Sequence, residues 1–322
     1  MILMRFGLSP AQWLSTVLIV GLLLLVGLQD PERLALSAQP PPIAVPLLPI
    51  SGLRREGTER IPLADLSATS VYAISQENGE VLFEHNKNTD YAPASTTKLM
   101  TALVARRTYP LDQILVVPPI GFADAKQPLQ VGQTYTVAQL LSALLINSNN
   151  TAAYTLAAGH PQGLEGFVAD MNALSATLGL TNTYFTNPAG FDDPNHRSTA
   201  RDLGLLFRAA LLDPIVAAIL GTKQAPLVNS DGVTVSTLSN THQLIGSDSR
   251  VLAGKTGTTD EAKQVLITSL TTGVHPYVLV ILGSSDRYGE TRRLADWVDQ
   301  RYTWQIMTPA SLLESIEYAS DD

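Results

Sequence analysis

The sequence predicts an α+β fold: one antiparallel sheet built from both ends of a globular region, flanked by helices, with a mostly helical part between. Three observations carry this reading. Two apolar runs straddle Asn78-Gly79 between Val71 and Glu84, the strongest short-range signal of a tight β-hairpin. Arg250 to Gly254, Val265 to Thr271 and Pro276 to Gly283 read as strands near the other end. Between these groups, about 137–146, 150–159, 163–178 and 200–212 repeat apolar residues at three- and four-residue spacing, as amphipathic helices do. A last amphipathic helix is predicted over about 289–301. Strand pairs at both sequence ends with helices between them imply a single sheet rather than alternating βα units.

Taken in chain order, the first element is a stretch without charge from Phe6 to Gln29, whose run Leu14 to Leu28 is apolar enough to cross hydrocarbon. Residues 1–29 are therefore expected to be an N-terminal transmembrane helix, or a signal peptide cut near Ala35-Leu36-Ser37. The anchor is the preferred reading, because the span is long and the cleavage site follows Asp30, Glu32 and Arg33. Arg5 on the N-terminal side gives a weak positive-inside bias. The remainder is expected outside the cytoplasm, tethered to the cell membrane by one span, or secreted if the segment is cleaved. Residues 30–61 hold Pro31, Pro40, Pro41, Pro42, Pro46 and Pro49 and read as a semi-extended linker. The globular domain is expected over 62–306, with a short tail at 307–322.

Composition narrows the function. With 21 Lys+Arg against 29 Asp+Glu, the net charge of −8 argues against a nucleic-acid partner. There is no cysteine, so no disulfide, thiolate nucleophile or cysteine metal site is available, and any covalent catalyst must be Ser, Thr, Lys or a carboxylate. The five histidines show no i, i+4 pair, which disfavours a metal hydrolase; no metal or cofactor is expected.

Three motifs remain as candidates. Ser95-Thr96-Thr97-Lys98 opens a helical run after Pro93, and its i, i+3 spacing puts an ammonium one turn from a hydroxyl. A serine needs an adjacent base, and a lysine with a lowered pKa can serve as one. Ser148-Asn149-Asn150 lies between two predicted helices, where polar side chains cap a helix or face a cleft. Lys255-Thr256-Gly257-Thr258 follows Val251 to Gly254 and suits a strand edge that binds an extended peptide. Taken singly, each also fits a helix cap or an exposed strand end.

Together they recur in a specific order: S-x-x-K, S-x-N about 50 residues on, and K-T-G about 110 beyond. With Tyr91 to Ala102, Leu178 to Asp202 and Ala253 to Asp260, the chain resembles the penicillin-binding protein and β-lactamase superfamily. Within it, the chain is most similar to the low-molecular-mass serine D-alanyl-D-alanine carboxypeptidases, over about residues 62–306.

The resemblance implies a β-lactamase/transpeptidase-like fold and the following roles. Ser95 would be acylated, with Lys98 as its base, and Ser148 and Lys255 would relay the proton to the leaving group. Asn150 would hold a substrate amide. Lys255, Thr256 and Thr258, with Gly257 allowing close approach, would receive the terminal carboxylate, supported by Arg287. The backbone amides of Ser95 and Thr258 would form the oxyanion hole. Implied partners are peptidoglycan stem peptides, β-lactam antibiotics as covalent inhibitors, and the membrane. His196, Asp192 and Asp193 read as structural.

Two departures stand out. Lys263-Gln264 follow Ala262 where the family usually has Gly and then an aromatic or polar residue, and the sequence ends 18 residues after Trp304 without room for a β-rich second domain. The alternatives to a carboxypeptidase are a D,D-endopeptidase with the same residues, a class A β-lactamase, and a non-catalytic binding module. The β-lactamase is disfavoured because residues 181–199 hold no Glu to activate deacylating water, the binding module because Ser95, Lys98 and Lys255 are all present.

Overall fold

Alternation along two strands explains the architecture. In the computed structural model, which describes residues 50–55, 66–120 and 128–307, β2 (Ser70–Ser75) and β10 (His275–Ser284) lie side by side at the middle of a five-stranded sheet. Val71, Ala73, Tyr277, Leu279 and Ile281 belong to one core and Tyr72, Ile74, Val278, Val280 and Leu282 to another. Successive strand residues point to opposite faces, so each strand feeds two cores and must be apolar throughout. The core on the first face is completed by Leu294, Ala295 and Val298 of the last helix, and that on the second by Leu203, Leu206 and Phe207 within Ala200–Leu211.

The remaining strands are β3 (Val81–His85), β8 (Val251–Thr259) and β9 (Lys263–Thr272), giving the order β3-β2-β10-β9-β8 with every neighbouring pair antiparallel. The helices are α1 (Lys98–Thr108), α2 (Val137–Ile146), α3 (Asn150–Ala158), α4 (Gly163–Thr177), α5 (Ala200–Leu211), α6 (Pro214–Leu220) and α7 (Arg287–Arg301). The predicted sheet of both termini and the intervening helical region are therefore present. α2, α3 and α5 begin at Thr136, Asn149 and Thr199, whose side chains accept backbone N–H bonds, so each helix starts where a short polar residue satisfies an orphan donor.

Several details differ from the sequence reading. Asn78-Gly79 does not make a two-residue turn: Ser75 and Glu80 close a four-residue connection, with Gly79 at φ 78°. Asn78 instead accepts the Glu80 N–H on its side chain at 3.0 Å, the local alternative open to Asn. Three-residue strands β4 (Ile114–Val116) and β5 (Thr134–Thr136) pair, as do β6 (Gln224–Val228) and β7 (Thr234–Ser239). These ribbons and α6 were not legible, being too short for a periodic signal. The predicted linker is a strand at its end, β1 (Ile50–Arg55), paired with β11 (Tyr302–Met307). This stretch follows the last proline and keeps the donors the proline-rich run lacks.

Residues Gly52–Gln305 form one compact unit. A second groups Met1–Ser51 with Ile306–Asp322 and falls almost wholly outside the described residues, as do the predicted membrane span at 1–29, most of the 30–61 linker and the tail. Among the described residues, no single helix is long and apolar enough to cross a membrane.

Candidate active site

The site is assembled where the start of α1 meets the edge strand β8. Ala94–Thr97 form a 3₁₀ turn that runs directly into α1. In such a turn residues three apart eclipse one another, a tighter alignment than in an α-helix. Lys98 Nζ accordingly donates to Ser95 Oγ at 2.9 Å. Ser95 is partly exposed and Lys98 has no solvent exposure. Lys98 Nζ also donates to Ala189 O at 2.6 Å, which fixes its position from the far side.

The loop that supplies this carbonyl is built for the purpose. Asn187 Oδ1 accepts from the amides of Ala189, Gly190 and Phe191 at 3.2, 2.8 and 3.0 Å. Thr101 Oγ1 donates to Pro188 O at 2.6 Å. Gly190 lies at φ 84°, and a Cβ there would sit 1.9 Å from Ala94 O. Only glycine lets the loop press on the turn that carries Ser95. Asn187, Ala189 and Gly190 were missed as functional positions, because a backbone carbonyl leaves no residue-type signature.

Behind the nucleophile, His196 is buried and accepts the Thr186 N–H on Nδ1 at 3.0 Å. With Nδ1 an acceptor, Nε2 carries the proton and donates to Thr97 Oγ1 at 2.8 Å. Burial holds its pKa down at about 4, so it is neutral at ordinary pH. It braces the nucleophile turn, consistent with a structural role.

The second lysine comes from the sheet. Lys255, 1% exposed, donates through Nζ to Ser148 Oγ at 2.8 Å and to Thr256 O at 2.9 Å. Burial, and secondarily the Arg287 guanidinium, lower its pKa to about 7. Ser148 sits at φ 60°, an uncommon conformation for a non-glycine residue and of the kind found at functional sites. The following Asn149 caps α3 through Ala152 N at 2.7 Å, leaving Asn150 half-buried as the first residue of that helix.

Along β8, glycines allow two close approaches. A Cβ on Gly254 would lie 2.3 Å from His242 Cδ2. One on Gly257 would meet Ala94 Cβ at 3.0 Å, Pro93 O at 3.1 Å and Ser95 N at 3.2 Å. Gly257 thus brings the strand edge against the nucleophile. Thr256 is less available than its motif suggests: it is 5% exposed and its hydroxyl is bonded to Thr241 Oγ1 at 2.6 Å. Thr258 is exposed, and Arg287 Nη1 reaches its Oγ1 at 2.9 Å and Gly257 O at 3.0 Å. Arg287, the first residue of α7, is thereby brought to the K-T-G strand end although 29 residues separate it from Thr258.

Ser95, Lys98, Ser148, Lys255 and the strand end carrying Gly257, Thr258 and Arg287 therefore form one continuous constellation. It can supply a hydroxyl nucleophile with a lysine in contact, a second serine–lysine pair, and cationic donors for an anion. Comparison with known proteins agrees with this chemistry. A family model described as D-alanyl-D-alanine carboxypeptidase matches residues 56–286. A D-alanyl-D-alanine carboxypeptidase of Mycobacterium tuberculosis is 32% identical over 251 residues, 74% of this chain and 84% of the relative. A D-alanyl-D-alanine endopeptidase of Pseudomonas aeruginosa is 31% identical over 277 residues, 82% of this chain and 83% of the relative. Among solved structures, the Streptomyces K15 DD-transpeptidase superposes with a TM-score of 0.67 at 28% identity, covering 72% of this chain and 97% of that one.

Proposed function

The chain belongs to the D-alanyl-D-alanine carboxypeptidase family, and from that premise we propose that it removes the terminal D-alanine from peptidoglycan stem peptides through an acyl-enzyme on Ser95. The observation that carries this is the fully buried Lys98 bonded to Ser95 Oγ at 2.9 Å. Lys98, as general base, takes the hydroxyl proton as Ser95 Oγ attacks the carbonyl carbon of the penultimate residue. Negative charge develops on the carbonyl oxygen, and the amides of Ser95 and Thr258 stabilise it. The C–N bond then breaks, and the proton held by Lys98 reaches the departing amine of D-alanine by relay through Ser148 and Lys255. Water next attacks the ester carbon, passing a proton to Lys98, and Lys98 returns it to Ser95 Oγ as the ester C–O bond breaks. Asn150 holds a backbone amide of the acyl portion.

Lys255, the Thr258 hydroxyl and Arg287 receive the terminal carboxylate. Thr256 contributes through its bond to Thr241, which steadies the strand. β-Lactams would acylate the same serine, and the test follows from that: fluorescent penicillin should label the enzyme, and Ser95→Ala should abolish labelling and D-alanine release while the protein stays folded. Labelling of a folded Ser95→Ala enzyme would remove Ser95 from the role.

A second reading is cross-link cleavage, favoured by the similarity to relatives named D-alanyl-D-alanine endopeptidase. Digestion of defined monomeric and cross-linked muropeptides, read by mass, separates the two. We also propose that residues 6–29 anchor the enzyme in the membrane with its catalytic region on the periplasmic or cell-wall side, on the strength of the uncharged apolar run. Retention in membranes through carbonate washing is expected, whereas a mature N-terminus near Ala38 would identify a cleaved signal.

A further inference from the structure

We infer that Gln264 is a positioning residue for carboxylate recognition, fixing the first turn of α7 and with it the reach of Arg287 to the strand end. The inference rests on the carboxylate-binding reading of Arg287 given above. Gln264 stands in β9 opposite Thr258 on one side and opposite Ser284 on the other. On the second side the pairing is interrupted between Ile281 and Ser284, and Gly283 at φ 69° leads the chain out of β10 toward α7.

The Gln264 side chain spans that corner. Its Nε2 donates to Ser285 O at 3.1 Å, and its Oε1 accepts the Arg287 N–H at 3.2 Å. One partner is a carbonyl and the other an N–H, so a single orientation of the carboxamide satisfies both. The Arg287 amide is among the helix N-terminal donors that have no intrahelical acceptor. The Asp286 cap accepts instead from Gly289 N at 3.0 Å, so Gln264 takes a bond the cap leaves open.

Fixing that amide fixes the Cα from which the arginine extends. The guanidinium stacks over the Tyr288 ring at 5.0 Å, and Nη1 reaches Gly257 O and Thr258 Oγ1. Arg287 Nε is buried without a hydrogen-bond partner, so no acceptor grips the side chain midway. Its placement therefore rests on the Nη1 bonds, which include one to Val265 O at 3.4 Å, on the Tyr288 ring and on the backbone at its base, and Gln264 sets the last of these.

The experiment is a double-mutant cycle on the full-length enzyme. The ratio of kcat/KM for a D-alanyl-D-alanine peptide to that for the same peptide amidated at its C-terminus is measured for the unmutated enzyme, Gln264→Met, Arg287→Ala and the double variant. Gln264→Met keeps the volume and removes both bonds. The ratio should fall roughly five- to tenfold in Gln264→Met, chiefly through KM of the free acid, and further in Arg287→Ala. The double variant should match Arg287→Ala, because a residue acting through another has nothing to add once that other is gone. Thermal unfolding checks that the variants fold, and Gln264→Asn, too short to reach both partners, replaces Gln264→Met if it does not. A ratio lost in Arg287→Ala but kept in Gln264→Met, or losses that multiply in the double variant, would overturn the inference. A ratio unchanged in Arg287→Ala would instead remove Arg287 from carboxylate recognition and this role of Gln264 with it.

Discussion

The two halves of the site each hold a buried lysine bonded to a serine, and they are built in opposite ways. Ser95 lies in the 3₁₀ turn and Lys98, three residues on, opens α1, so the pair forms wherever that junction forms. Ser148 and Lys255 are 107 residues apart, and their 2.8 Å contact exists only because β8 is the sheet edge facing the α2–α3 junction. The first pair is local chemistry braced by tertiary contacts from Ala189 and His196; the second is tertiary structure from the outset. Disturbance of the first should therefore show in attack on the carbonyl, and disturbance of the second in leaving-group protonation, recognition and pH dependence.

The largest effect tests the local pair. Lys98→Arg keeps a cation beside Ser95 but cannot accept a proton near neutral pH, so penicillin acylation should fall by about 10²–10⁴, the loss typical of a removed general base. Near-native acylation kinetics, followed by stopped-flow fluorescence, would take Lys98 out of the role.

The glycines on the two sides sharpen the contrast. Gly190→Ala adds a Cβ 1.9 Å from Ala94 O at a φ of 84°. Backbone must move, and left-handed strain adds to the clash, so a loss of about 2–4 kcal/mol in urea unfolding is expected, with acylation impaired as well. Gly257→Ala meets its nearest neighbour at 3.0 Å. Small shifts accommodate it, so it should cost under about 1.5 kcal/mol of stability yet slow acylation, because Ser95 N is among the atoms it presses. Equal stability losses in the two variants would mean that the halves are equally rigid and the contrast does not hold.

A smaller effect belongs to the tertiary lysine. With its pKa lowered to about 7, Lys255 is charged below that pH and increasingly neutral above it. Since kcat/KM reports the free enzyme, the free-acid substrate should be turned over less well as pH rises through about 7, and its amidated analogue should decline less. The linkage sign is also defined. Unfolded Lys255 keeps its proton up to the ordinary lysine value of 10.5 while the folded form releases it from about 7, so this group makes stability rise with pH between them. Identical pH profiles for the two substrates would detach Lys255 from carboxylate binding.

The same local-versus-tertiary divide explains how far the sequence could be read. β2, β9, β10 and the helices α2, α3, α4, α5 and α7 fall within about two residues of the reading, whereas β8 continues to Thr259, beyond its predicted end at Gly254. Ser95 with Lys98 was legible as a pair, because the spacing itself implies the contact. Ser148 and Lys255 were legible as motifs, but that the two side chains bond to each other was not, since it depends on sheet order. The Ala189 carbonyl, the brace from His196 to Thr97 and the Gln264 bridge were illegible for one shared reason. Each is made by a group whose partner is chosen by a loop's path, and no residue type announces that path.

The smallest predicted effect concerns a residue where the sequence and the backbone disagree. Lys263 opens β9 at φ 53°, a conformation glycine adopts freely and a lysine pays to hold. It is exposed, so removing its side chain forfeits little packing. Lys263→Gly should relieve strain of about 1–2 kcal/mol, offset in part by the greater backbone freedom glycine gains in the unfolded chain. A net gain of about 0.5–1 kcal/mol in urea unfolding is expected, with acylation by penicillin unchanged within about twofold. Lys263→Ala serves as the control, because it removes the same charge while keeping the Cβ that causes the strain. If alanine stabilises as much as glycine, charge rather than backbone conformation sets the energy of this turn; if only glycine does, the turn into β9 carries backbone strain comparable in kind to that at Ala94 (φ 49°) in the local half.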